Sequence, residues 1–492
     1  MIIALAVKAR GKPAATSRVA RIALLSATLF LLGPSGAGAE TLMDALSATY
    51  STNPQLDAER ARARATDENV PQAEGQFRPT VTGNASLGYE HTVTRPTNPF
   101  SPDGTVHPGG FGITVTQPIF RGFRTINGIN VAEAQVRAER ETLRNAEQTV
   151  LIGAITAFMD VVRDEAILKL RENNRIVLAD TLRSTRDQFR VGEVTRTDVA
   201  QSEASLAAAV SAIELAKANL KASRANYERW TGHQPGHLVE PKPLGSILPK
   251  TVDEATSISE KEYPAVLAAM YNEQSARFNV DLIRGQLLPT LSVQGSYEDS
   301  NQPNKIVGEM RVATVTGQLS VPIYEQGIIY SQVRAAKHTQ IAALQEIQRN
   351  KVEAHSNAIS AWFQQKAARA QLVSDQEAVN SNKIALAGVR EEEKVGQRTH
   401  IEVLNAEQAY LNAEVNLVTT RHNVIVNDYT LMQAIGRLNI QEIGAAAQVY
   451  DPEEHYFEVR RKWWGLNITH SDGRREALDL WHSHGENHES MK

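Results

Sequence analysis

Two stretches of this chain place side chains at spacings that can do chemistry. Arg190 to Leu206 reads RVGEVTRTDVAQSEASL, and Lys394 to Tyr410 reads KVGQRTHIEVLNAEQAY. Val191, Gly192, Thr195, Val199 and Glu203 recur 204 residues later as Val395, Gly396, Thr399, Val403 and Glu407. Asp198 becomes Glu402, and Gln201 becomes Asn405. In both copies a threonine precedes a carboxylate by three residues, the spacing of a capping box that satisfies free N–H groups at a helix start. The glycine before each threonine suits the left-handed backbone that ends a preceding helix. This is turn-making and ion-pairing chemistry rather than bond-breaking. The chain has no Walker loop, no HExxH, no nucleophile elbow and no acid–base pair that periodicity leaves unexplained. Neither an enzyme nor a cofactor is expected. HSHGENH (His482 to His488) gathers three histidines near the C-terminus, but without a defined scaffold they do not specify a metal site.

The elements that must carry these turns also come in two copies, so a large structural half is built twice. GQFRPTV (Gly75 to Val81) returns as GQLLPTL (Gly285 to Leu291), and QPIF (Gln117 to Phe120) as VPIY (Val321 to Tyr324). The interval from Pro79 to Pro118 is 39 residues and from Pro289 to Pro322 is 33, so one internal loop is six residues longer in the first copy. Between these prolines apolar and polar residues alternate, as in Val81, Gly83, Ala85 and Leu87 or Ala313, Val315, Gly317 and Leu319. Period two predicts strands at about 80–92, 110–119, 290–298 and 311–323. Their polar faces are small, hydroxylated and nearly uncharged, as a wet barrel interior requires.

Outside the strands the period changes to seven. Val199, Leu206, Ile213, Leu220 and Tyr227 are matched by Val403, Tyr410, Leu417, Val424 and Leu431. Five consecutive heptads in both copies predict coiled-coil helices. Proline-free runs give Phe123 to Val191 and Ile328 to Lys394 as long helices, each roughly 100 Å at 1.5 Å per residue. Thr195 to Thr231, His400 to Ile435, Leu42 to Gln76 and Thr256 to Arg284 are shorter ones, laid in pairs beside the long rods. Proline-rich residues 232–255 form a linker at the waist. The organisation is then a first repeat at 40–231, the linker, a second repeat at 256–443 and a tail at 444–492. The tail is expected to be partly disordered and to wrap the waist.

Residues 1–39 read as a signal peptide, with a basic front, the apolar core IALLSATLFLL (Ile22 to Leu32) and small AGA residues before Glu40. Removing its five positive charges takes the formal charge from −4 to −9, which argues against a nucleic-acid partner. There is no cysteine, excluding a disulfide framework, a thiolate metal site and a lipidated N-terminal cysteine. Nothing after the signal peptide approaches the roughly 18 apolar residues of a membrane-crossing helix.

An exported chain with four strands cannot close a barrel alone, because bacterial single-chain barrels have at least eight. Its open edges cannot face lipid either, since unpaired backbone groups there cost several kcal/mol each. Several copies must pool their strands. From Thr41 to Ile443 the chain resembles the TolC family of outer-membrane factors, in both helix–strand–strand–helix halves and both VGxxTxx[DE]V turns. The resemblance implies an α+β fold with two internal repeats. Four strands per protomer form a membrane β-barrel closed by trimerisation, continuous with a periplasmic α-helical coiled-coil barrel. It implies a homotrimer in the outer membrane of a Gram-negative cell, contacting outer-membrane lipid and working with a periplasmic adaptor and an inner-membrane ABC or RND pump. The function implied is the exit duct of an efflux or type I secretion system. A periplasmic adaptor is the alternative, but it would carry one hairpin rather than two with strands at their far ends.

The same resemblance implies roles at the tips. Val191, Gly192, Thr195, Val395, Gly396 and Thr399 would meet the adaptor. Asp198 and Arg398 would tie a closed entrance, and Glu402 and Asn405 would line its narrowest ring. Asn405 and Glu393 depart from the family pattern, where an aspartate and an aromatic are usual. Three Glu402 carboxylates around one axis are expected to raise one another's pKa. Phe77, Phe120, Phe123 and Tyr324 are expected at the strand–helix junctions.

Overall fold

A computed structural model describes residues 40–95, 103–245, 247–470 and 475–476. The expected signal peptide and the histidine cluster at 482–488 lie outside the described residues. Among the described residues, no helix is long and apolar enough to cross a membrane.

Two rods run the length of the helical region: α4 (Arg124–Val191, 68 residues) and α8 (Ile328–Lys394, 67 residues). Helices α5 (Arg196–Thr231) and α9 (His400–Ala434) fold back along their C-terminal halves as two hairpins. Beside the other half of α4 lie α1 (Leu42–Thr52), α2 (Pro54–Asp67) and α3 (Asn69–Gly75), while α7 (Pro264–Arg284) packs between α4 and α8. The heptad residues do the packing. Ile213, Leu220, Tyr227, Leu417, Val424 and Leu431 are buried, as is the neighbouring row of Leu404, Leu411, Ile425 and Met432.

The helix expected from Leu42 to Gln76 is three helices. Pro54 has no N–H to donate and suits a first helical position, and Asn53 caps the new start by accepting from the Gln55 and Leu56 N–H groups. Pro264 does the same in the second half. It separates α6 (Val252–Glu262) from α7, and α6 begins inside the stretch expected to be linker.

The main core sits where the half-length helices meet. Leu151, Ile155, Phe158 and Met159 of α4 pack there with Leu46, Tyr227, Tyr429 and Met432. Leu238 and Leu248 of the linker plug into this cluster. The linker is also bound by charge: the Leu244 N–H donates to the wholly buried Asp428 carboxylate at 3.0 Å, and Arg369 pairs with it at 2.9 Å.

At the far end from the tips lies one antiparallel sheet ordered β1 (Thr80–Leu87), β4 (Gly109–Arg121), β5 (Thr290–Asn301) and β6 (Glu309–Ser320). Strands β2 (Glu90–Thr92) and β3 (Gly104–Val106) form a separate short ribbon, so the first strand stops at Leu87 rather than running to 92. The two repeats join at β4–β5, where Ile113 faces Tyr297 and Val115 faces Gly295. Register slips between Pro118 and Phe120, where the proline cannot donate to the ladder.

Directly paired residues share a face, and register therefore sorts most of the sheet into an apolar and a polar side. Val81, Val115, Ile113, Phe111, Val293, Tyr297, Val315 and Leu319 fall on one side. Thr82, Thr114, Thr116, Gln294, Ser296, Thr314 and Gln318 fall on the other. At the far end of the apolar side, the Phe111 and Tyr297 rings lie 6.3 Å apart, followed by the Asp299–Arg311 pair at 3.0 Å. The outer edges of β1 and β6 have no strand partner among the described residues.

Candidate functional site

The two hairpin turns repeat at the atomic level. Gly192 and Gly396 take φ of 81° and 74°, left-handed values that side chains other than glycine adopt reluctantly. Thr195 and Thr399 then open α5 and α9 with complete capping boxes. The Thr195 N–H and hydroxyl donate to Asp198 at 2.8 and 2.7 Å. Those of Thr399 donate to Glu402 at 2.8 and 2.9 Å. Val191 and Val395 stand exposed at the apex, 73% and 69% accessible in the single chain.

Electrostatics follow from these bonds. The Thr195 hydrogen bonds hold the Asp198 carboxyl below its ordinary range. Glu402 is lowered further, to about 2, by the Thr399 N–H and by Arg398. Within one chain, then, the force on Glu402 is opposite to the raised pKa expected of a three-carboxylate ring. Arg398 is fully engaged: its Nε donates to Glu392 at 2.8 Å and its Nη1 pairs with Glu402 at 2.9 Å. Asp198 and Arg398 are therefore each occupied by partners other than one another. Asn405 is exposed one turn further along α9.

A residue that sequence reasoning missed connects the two turns. His400, the first residue of α9, is 8% exposed. Its Nδ1 lies 2.8 Å from the Glu393 carboxylate, which accepts. Its Nε2 lies 2.7 Å from Ser202 Oγ and 3.3 Å from Thr185 Oγ1, both on the other hairpin. The available signal was a joint departure of the second copy from the first. Glu393 and His400 replace Phe189 and Arg196, so an aromatic and a cation became a hydrogen-bonded pair.

Farther from the apex the copies agree again. Arg186 pairs with Glu203 at 2.6 Å, and Arg390 with Glu407 at 2.8 Å, each bridging the two arms of its own hairpin. The repeat of Glu203 as Glu407 was visible in the sequence, but its ion-pairing role was not. Among the described residues no cluster of ligating side chains could hold a metal ion. What the site offers is two rigidly capped, charged turns cross-linked by one imidazole.

Comparison with known proteins agrees with this architecture. The family described as "Outer membrane efflux protein" matches residues 45–233 and 257–437, one match per repeat. The outer membrane efflux protein BepC of Brucella suis is 36% identical over 457 residues, covering 93% of this chain and 97% of BepC. The outer membrane protein TolC of Escherichia coli is 23% identical over 434 residues, covering 82% of this chain and 84% of TolC. Among solved structures, the Campylobacter jejuni CmeC outer membrane channel superposes with a TM-score of 0.72 at 18% identity, covering 85% of this chain and 89% of CmeC. Sequence, strand register and family agreement together place this chain in the outer membrane efflux protein family, as a non-enzymatic TolC-type channel protein of the outer membrane that extends into the periplasm.

Proposed function

We propose that three copies of this chain close one barrel and one helical tube, as TolC-type channels do. The tube is the exit duct for a substrate handed over by an inner-membrane pump through a periplasmic adaptor. The carrying observation is a four-stranded sheet with two unpartnered edges, continuous with two hairpins that end in matching capped turns. Twelve strands from three chains exceed the eight that a bacterial barrel needs. The duct is passive, so its specificity belongs to the pump. Curated relatives include the alkaline protease secretion protein AprF of Pseudomonas aeruginosa, 22% identical over 322 residues, which supports protein export beside efflux as the cargo class.

The gate in this reading is the ring of tips. Asp198 and Arg398 tie neighbouring subunits, while Glu402 and Asn405 face the axis. Val191, Gly192, Thr195, Val395, Gly396 and Thr399 present the surface an adaptor hairpin docks on. Exposed ion pairs stabilise by only about 0–1 kcal/mol each, weak enough for docking to break them. Planar-bilayer recordings test this. Arg398→Ala should raise single-channel conductance, and unchanged conductance removes Arg398 from the gate. A crosslinker on Thr399→Cys in intact cell envelopes should capture a periplasmic adaptor; capture of a soluble periplasmic enzyme instead would contradict the docking role.

A further inference from the structure

The C-terminal tail has no counterpart in the first repeat; its start, at Ala445, Ala447 and Tyr450, packs on the core at the waist, and its described remainder then leaves the waist. After Tyr450, whose N–H donates to Tyr50 Oη at 3.1 Å, the chain turns along α2 and α3 toward the sheet. Helix α10 (Pro452–Arg460) is pinned at each step of this climb. His455 meets Asp67 at 3.0 Å, Glu453 meets Arg140 at 3.0 Å, and Arg460 reaches Glu74 and Glu133 at 3.4 and 3.3 Å. Tyr456 packs on the small core of Val70, Ala73, Ala132 and Val136. The climb ends at Arg78. Its Nη1 donates to the Lys462 carbonyl at 2.9 Å, and its guanidinium lies 4.8 Å from the Trp463 ring centre. Arg78 is two residues before Thr80, where β1 begins.

Trp463 is thereby held by Arg78 near the start of the sheet strands with Trp464 beside it in sequence, and both rings remain largely open to solvent. Trp463 is 65% exposed and Trp464 is 87% exposed, with Leu466 at 47%. The neighbouring Arg461 is exposed too, and Lys462 adds a second cation in a chain whose mature formal charge is negative. Phe77, Phe123 and Tyr324 are also exposed at this level, beside the apolar sheet face that starts at Val81.

We propose that the Arg461–Leu466 turn is a second membrane contact outside the barrel. Trp463 and Trp464 lodge among phospholipid headgroups of the periplasmic leaflet, with Arg461 and Lys462 facing lipid phosphates. Tryptophan is favoured at that depth because its ring is apolar while its N–H still finds polar partners. Basic residues beside it gain from the negative surface potential of anionic lipid. An exposed tryptophan pair beside two cations, held within two residues of the start of β1, selects lipid over a protein partner, and the Arg78 clamp sets the height of the turn. This inference rests on the outer-membrane placement of the sheet.

Because the chain has no cysteine, one nitroxide can be placed without background. The full-length channel carrying Trp464→Cys, spin-labelled and reconstituted in phosphatidylethanolamine–phosphatidylglycerol vesicles, is probed with oxygen and with a water-soluble nickel chelate. Glu454→Cys, lower on the same tail, is the aqueous reference. The Trp464 label should show a several-fold higher oxygen-to-nickel accessibility ratio than the reference, and Arg78→Gln should lower that ratio. A ratio equal to the reference overturns the proposal. So does an immobilised label shielded from both agents, which would mean the turn is packed on protein. Conductance measured on the same vesicles separates the two readings: pores with an aqueous label sink the anchor alone, and absent pores sink the membrane placement beneath it.

Discussion

His400 Nε2 stands 2.7 Å from Ser202 Oγ, so one imidazole ring joins the tips of both hairpins within a single chain. Its other nitrogen is held by Glu393 at 2.8 Å. Ser202 and Thr185 are themselves buried, with their hydroxyl oxygens 3.0 and 2.9 Å from carbonyls of their own helices. The ring is thus a staple between two otherwise self-contained turns.

Removing the staple should loosen the entrance without unfolding the chain. Each neutral hydrogen bond contributes about 1 kcal/mol net, small against the packing of the rods. His400→Ala and Ser202→Ala should each raise single-channel conductance or open probability. The double variant should add little to His400→Ala, because the contact Ser202 makes across the tips is with that ring. Additive effects in such a cycle would show that they act separately.

Glu402 gives a pH prediction with a definite sign. Its folded pKa of about 2 lies below the ordinary 4.5. The capping and pairing it supports is therefore fully present above about 4.5 and lost only as pH falls through about 2. Cation selectivity, read as a reversal potential, should stay flat between pH 7 and 5. Arg398→Ala removes one of the groups lowering Glu402 and should move a transition upward toward 4.5. A wild-type transition between pH 5 and 6 that Glu402→Gln abolishes would mean that repulsion within a ring outweighs the local bonds.

Equivalent ion pairs in the two repeats should differ in worth. Arg186 and Glu203 are 53% and 49% exposed, whereas Glu407 is 5% exposed beneath Arg390. One Glu407 carboxylate oxygen already lacks a hydrogen-bond partner. Arg390→Ala would leave a buried charge unpaired and should cost about 3 kcal/mol, against about 0–1 kcal/mol for Arg186→Ala. Thermal unfolding midpoints of the two variants measure both, and equal shifts would contradict the burial argument.

The parts of this molecule that sequence made legible are those governed by periodicity and repetition. Heptads located α5 and α9, and proline-free runs located the rods, with α8 found at Ile328–Lys394 as expected. Alternation located the main strands, and the repeated Thr195–Asp198 and Thr399–Glu402 pairs announced their capping boxes. What escaped depends on contacts without a local pattern. The break at Glu68 has no capping hydrogen bond to betray it. His400 meets Ser202 across 198 residues of chain. The tail has no internal template, so nothing local pointed His455 toward Asp67 or Trp463 toward Arg78. The family resemblance assigned Asp198 and Arg398 to a closed entrance, and within the single chain each bonds inside its own turn.

In the proposed trimer the open edge of β1 on one chain pairs with the open edge of β6 on the next. Cysteine pairs scanned along Val81, Gly83 and Ala85 of β1 and Val315 and Gly317 of β6 test it directly, because the native chain contributes no thiol. After oxidation in the membrane, pairs in register should give covalent species ending at three subunits. Failure of every pair to join chains, together with a monomeric mass in detergent, would contradict it.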